Sequence, residues 1–235
     1  MTLRRAAPLR GRLLRRYKRF LADVETESGE TLTVHCPDPG SMRGLAVSGA
    51  AVRCSSHESP RRRLRHTLEM IRAGRVWVGV NTGLANHVVA AVLEAGLPAG
   101  LSGYEKLERE VAAGPGARLD FRLSGRQRDP RSLWLEVKSV SLAEGARGLF
   151  PDSVTERGRR HAETLERLVR AGDRAALLFL VQRADCERVS PADAIDPAYG
   201  RALRAAKRAG VELFALGARV GARGIAVERE LPVEL

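Results

Sequence analysis

The sequence predicts an α/β protein in two parts: a small all-β barrel over residues 1–82, then a mixed sheet flanked by helices over residues 83–235. Three observations carry this. Short alternating segments with turn chemistry fill the first third, helical spacing sets in after Asn81, and AALLFLV at 175–181 is a continuous apolar run. Alternation of period two marks a half-buried strand, whereas an unbroken run of β-formers marks a strand covered on both faces.

In the first part, residues 17–26 read as extended, Glu27-Ser28-Gly29-Glu30 supplies a turn, and residues 31–36 alternate apolar with polar. PDPGSMRG follows as a loop, with further strands expected at 50–55 and 75–80. Several short strands joined by basic loops suit a small barrel, and a barrel of the OB type binds nucleic acid on one face. Pattern alone does not separate that barrel from other small ones.

In the second part, residues 84–95 have the apolar spacing of a helix ending at Gly96, and strands are expected at 107–112, 118–123 and 133–139. Ser153 and Glu156 have capping-box spacing, so a helix should start there and bury Ala162, Leu165, Leu168 and Val169. Asp196-Pro197 opens another helix running to Ala209, with Gly210 closing it, and residues 211–216 form one more strand.

Bulk properties narrow the function. The chain has 235 residues and 44% hydrophobic content, as a globular protein does, and no apolar run of about 18 residues that would cross a membrane. The Arg-rich start lacks the apolar stretch of a secretory signal and reads as mature fold. Three cysteines, odd in number and widely spaced, fit neither a disulfide framework nor a zinc site and point to a cytoplasmic protein. His35 beside Cys36 has no further ligand spaced to complete a metal site.

Net charge is +12, and residues 1–82 hold 16 Lys and Arg against 7 Asp and Glu, a net of +9. Arg10, Arg12, Arg15, Arg16, Lys18 and Arg19, then Arg61, Arg62, Arg63 and Arg65, dominate the excess, and of these Arg15, Arg16, Lys18, Arg19 and the second cluster are the expected nucleic-acid contacts. Such clusters neutralise phosphates and release counterions, so nucleic acid is the expected partner, with a merely solvated basic face as the alternative. Tyr17 and Phe20 among these cations suit stacking on bases, although one of the two should face the core.

The chemistry concentrates in RLDFRLSGRQRDPRSLWLEVKSV, residues 118–140. Glu136 and Lys138 share one face of their strand, and a hairpin would bring Asp120 opposite Glu136. Two carboxylates so close repel unless a cation lies between them. A hard divalent ion, Mg²⁺ or Mn²⁺, is held by one or two carboxylates with waters and substrate phosphate, and it activates water for attack on phosphorus. Only four lysines stand against thirty-six arginines, so a Lys at 138 suggests a site that wants a compact ammonium. The bland alternative is a cross-strand ion pair on a solvated face. Arg157 and His161, four apart on the next helix, are placed to meet phosphate near that site.

RRYKRFLADV (15–24), HCPDPGSM (35–42), VNTGLAN (80–86), LSGYEKLERE (101–110), RLDF (118–121), LEVKSVSLAEG (135–145) and FPDSVTERGRRH (150–161) occur in that order along the chain. Together they strongly resemble the sugar fermentation stimulation protein family. The resemblance implies an N-terminal OB-like domain and a restriction-endonuclease-like domain of PD-(D/E)xK type, in a DNA-binding protein linked to the regulation of sugar metabolism. It places Asp120, Glu136 and Lys138 at the D, E and K positions as catalytic residues. It also implies a helix glutamate as an additional metal ligand. Ala91 stands at that position here, so Glu94, on nearly the same helix face, is the expected replacement beside Asp120 and Glu136. A second departure is Asp38-Pro39 and Ser41, where the family reads close to HCPNTGAM. Three functions stay open at this point: sequence-tolerant DNA binding, metal-dependent cleavage of DNA or RNA, and a non-catalytic regulator.

Overall fold

The computed structural model describes residues 2–4, 6–59, 62–114, 116–127 and 129–235. The first strand, β1 (Thr2–Arg4), joins the sheet of the second half of the chain, where it pairs antiparallel at the edge. The expected unit of residues 1–82 therefore lends its first strand to its neighbour.

The barrel follows. Strands β2 (Leu9–Tyr17), β3 (Leu21–Thr26), β4 (Thr31–His35), β5 (Ala51–Ser56), β6 (His66–Ala73) and β7 (Val76–Gly79) run in the order β4-β3-β2-β5-β6-β7. A parallel contact, His35 to Thr67, closes the first five into an OB-like barrel. Leu13, Val24, Val34, Val52, Leu68, Ile71 and Val78 fill it. The extended segment expected at 17–26 is broken by a tight turn in which Lys18 and Arg19 take positive φ of 45° and 66°. Neither residue type signals such a turn. β6 went unread because residues 67–71 are all buried, so its alternation is hidden. One side, Leu68 and Ile71, faces the barrel core, while Met70 joins the core of the second half.

The second half begins with α1 (Ala85–Glu94) and continues through β8 (Lys106–Ala112), β9 (Arg118–Ser124), β10 (Leu133–Val140), β11 (Leu142–Glu144) and β12 (Arg147–Phe150). After α2 (Glu156–Arg170) come β13 (Arg174–Val181), β14 (Arg188–Pro191), α3 (Pro197–Ala209), β15 (Glu212–Gly221) and β16 (Gly224–Glu230). The main sheet has the order β1-β16-β15-β13-β10-β9-β8, with β10, β13 and β15 mutually parallel. A small sheet, β11-β12-β14, caps the end near β10. α1 covers one face over Leu135, Val137 and Leu178, and α2 and α3 cover the other over Trp134, Leu177 and Phe179. The first of these helices to be capped differs from expectation: Thr155, not Ser153, accepts from the N–H of Gly158. Asp196 and the left-handed Gly210 bound α3 as the sequence predicts.

The barrel is held against the second half by polar contacts. The Ser41 hydroxyl donates to Asp152 O at 2.6 Å, and the Met42 N–H donates to Asp152 Oδ2 at 2.8 Å. Gly40 is required here, since a Cβ would lie 2.3 Å from Asp152 Oδ1.

Candidate functional site

β9 and β10 pair as far as Leu135 opposite Phe121 and then part. Asp120 fills the opening with its side chain. Its Oδ2 accepts from the Val137 N–H and its Oδ1 accepts from Asn86 Nδ2, each at 2.7 Å. The hairpin expected between these strands thus brings Asp120 to Glu136 by splaying, not by continued pairing. Burial, reinforced by the charge of Glu136, pushes the Asp120 carboxyl up to about 6.

Glu136 and Lys138 point to the α2 side, next along the face from Trp134. Glu136 is buried, and its Oε1 accepts from Lys138 Nζ at 2.6 Å and from His161 Nδ1. Burial opposes its charge, yet Lys138 and His161 outweigh the burial and hold Glu136 below the usual carboxylate range. His161 Nε2 in turn accepts from Arg157 Nε at 3.4 Å. His161 Nδ1 also lies 3.2 Å from Lys138 Nζ, so Glu136, Lys138 and His161 form one buried cluster.

Glu136 Oε2 is buried and has no hydrogen-bond partner among the described residues. A buried carboxylate oxygen of that kind asks for a cation or water. Among the described residues no three His, Cys, Asp or Glu side chains gather into a ready-made cage. The donor set, two carboxylates with one oxygen left over, matches a hard cation that keeps most of its waters and not a fully protein-caged ion.

The expected third ligand is misplaced. Glu94 is exposed at the last residue of α1, eight residues past Asn86, which is about 12 Å along the helix. Ala91, five residues past Asn86, is turned about 140° around the axis. The helix side chain that does meet Asp120 is Asn86, in the first turn. Its signal was an amide in the first turn of a largely apolar helix.

The basic residues fall at one end of the barrel. Leu21, His35 and Thr67 lie in one row across β3, β4 and β6, so the turn at 18–20 and the loop at 57–65 emerge side by side. Arg62, Arg63 and Arg65 are exposed in that loop, and Arg61 lies outside the described residues. Burial and then the nearby Arg62 charge lower the pKa of His35. Lys18 and Arg19 are exposed, with Phe20 beside them at 43%. Arg15 is exposed but pairs with Asp23 at 2.8 Å and lies over the Tyr17 ring, whose hydroxyl also donates to Asp23.

Arg16 has a different role from its neighbours. Its Nη2 donates to the carbonyls of Arg19, Asp38 and Gly40 at 2.7, 2.8 and 2.8 Å. It clamps the tight turn to the 38–40 loop, so it is spent on structure and not offered to a ligand. Arg16→Ala is expected to lower stability by about 2–3 kcal/mol, because three carbonyls lose a charged donor. Thermal denaturation checks this, and an unchanged midpoint would remove the clamp from the account.

An OB-like barrel followed by a mixed sheet flanked by helices, with two carboxylates and a lysine where strands splay, defines a two-part α/β protein. Residues 83–224 match the model of the sugar fermentation stimulation protein RE domain, and residues 14–80 match that of the SfsA N-terminal OB domain. The chain belongs to the sugar fermentation stimulation protein family. It is 48% identical over 223 residues to the sugar fermentation stimulation protein homolog of Geobacter sulfurreducens, covering 95% of this chain and 94% of that protein. It is 50% identical over 226 residues to the homolog of Halorhodospira halophila, covering 94% and 93%. Among solved structures, SfsA of Pyrococcus furiosus in complex with Ca²⁺ superposes with a TM-score of 0.90 at 26% identity, covering all of both chains.

Proposed function

We propose that the protein binds nucleic acid, in the first instance DNA, through the basic end of its barrel, and cleaves phosphodiester bonds with Mg²⁺ or Mn²⁺ at Asp120 and Glu136. The observation that carries this reading is the buried, partnerless Glu136 Oε2 on the strand whose next backbone N–H bonds Asp120, with the ammonium of Lys138 on the other Glu136 oxygen. The related SfsA binds Ca²⁺, which is also held by hard oxygen ligands. The ion, when bound, supplies positive charge that polarises a phosphoryl oxygen and acidifies a water. Lys138 offers a point charge beside the reacting phosphate. His161 fixes Glu136 in place, and Arg157 braces His161 while its exposed guanidinium faces the incoming chain. No helix among the described residues is long and apolar enough to cross a membrane. We place the protein in the cytoplasm, where its three buried thiols stay reduced.

The test incubates the protein with labelled DNA and RNA across a panel of divalent ions. Cleavage in Mg²⁺ or Mn²⁺ that stops in chelator is the expected result, whereas binding without cleavage under every ion would leave a regulator that only holds a cation. Binding has its own check. Replacing Arg62, Arg63 and Arg65 together by Ala should weaken single-strand affinity by more than about tenfold and lower the slope of log affinity against log salt by about 2. A variant that keeps the wild-type slope would move the contact surface elsewhere.

A further inference from the structure

Two clefts meet at Arg157. The first, of about 750 Å³, runs between residues 116–118 and α2, with Arg118 on one wall, Arg160, Arg167 and Arg170 on the other, and His161 at its floor. Its two acidic residues, Glu163 and Glu166, are already paired with Arg159 and Arg170. The second, of about 370 Å³, lies between the 38–40 loop of the barrel and residues 150–155, and it is lined by Arg19 and Lys138. Arg157 borders both. The cations on α2 follow helical spacing, at 157, 160 and 167, so they form one stripe along the groove.

We infer that the two clefts form one track for a single polynucleotide strand, which enters at the barrel end by Arg19, passes Lys138 and leaves along α2. This rests on the nucleic-acid reading above and extends it, since that reading uses only Arg157 at the start of α2 and nothing further along the helix. Five arginines line the α2 groove against two glutamates that are already paired, and guanidinium groups match phosphate oxygens in pairs. Both clefts have protein on two sides, as suits an extended strand, and OB barrels hold such strands. The exposed pair Arg160–Glu156 contributes little to stability, so Arg160 is available to exchange partners.

The experiment measures fluorescence anisotropy of labelled single-stranded DNA in chelator, with oligomers of about six nucleotides, which the barrel alone accommodates, and about eighteen. Arg160→Ala/Arg167→Ala changes only exposed side chains, and circular dichroism confirms the fold. The variant should bind the longer oligomer about tenfold more weakly, with a salt slope smaller by about 1.4, and bind the shorter one as wild type does. Equal binding of the longer oligomer by both proteins overturns the track, as does an equal loss at both lengths. Loss confined to poly-glutamate would make the groove a peptide site and overturn it too. If wild type binds neither oligomer, the nucleic-acid reading itself falls, an outcome distinct from failure of the track alone.

Discussion

Glu136→Gln and Lys138→Met are each expected to lower metal-dependent cleavage by about 10³-fold or more, since the first removes a carboxylate that would hold the ion and the second an ammonium beside the reacting phosphate. Their effects on stability should differ from their effects on rate. Either single change leaves a buried charge short of its partner, at a cost of about 2–4 kcal/mol, because Glu136 and Lys138 sit 2.6 Å apart and are both buried. The double variant removes both charges together. It should recover much of the lost stability while staying inactive, so a double-mutant cycle separates the catalytic loss from the structural one. Cleavage that persists in the folded double variant would show that the activity belongs to another site or to a contaminant.

Asp120 gives the second large effect, and its sign is unusual for a carboxylate. Its pKa rises from 3.8 to about 6 on folding, so the native state holds this proton more tightly than the unfolded chain does. Its contribution is therefore complete below about pH 4 and is lost as pH rises through 6, a penalty on the order of 2–3 kcal/mol at neutral pH without metal. Asp38 is pushed to about 6 by burial in the 38–40 loop and adds to the same slope. A cation competes with the Asp120 proton, so stabilisation by Mn²⁺ or Ca²⁺ should grow from pH 5 to 7.5. Asp120→Asn should be more stable than wild type at pH 7.5 without metal, by about 1–2 kcal/mol once the mismatch of one amide hydrogen with a backbone donor is included. It should also lose the metal response. Thermal denaturation with and without the ion tests both parts, and a metal shift that survives in Asp120→Asn would remove Asp120 from the site.

The residues that converge at the splay were legible from the sequence because strand alternation fixes sides: Glu136 and Lys138 had to share a face, and Asp120 had to lie on the neighbouring strand. The continuous run at 175–181 and the Asp196-Pro197 start of α3 were legible for similarly local reasons. What escaped depended on distant partners. β6 carries Glu69 in a buried position, accepting from Ser55 Oγ and Asn81 Nδ2, and no local pattern announces a carboxylate satisfied by residues 14 and 12 positions away. The turn at Lys18 and Arg19 is held by Arg16, which composition alone groups with the ligand-facing cations. Glu94 looked suitable on a helical wheel, but a wheel suppresses distance along the axis. Two turns separate it from the one helix residue that reaches Asp120.

The placement of β1 bears on how the molecule can be divided. Thr2–Arg4 closes the outer side of β16, and the Ala7 N–H donates to Ala222 O just beyond it, so the barrel is inserted into the second unit and clasped at both ends. Removing residues 1–82 would strip that strand away with the barrel and leave the N–H and C=O groups of β16 open to any passing chain. The truncated protein would carry a template for edge-to-edge association. The three-residue strand at the start of the chain is thus a guard against polymerisation for a domain that the sequence begins eighty residues later.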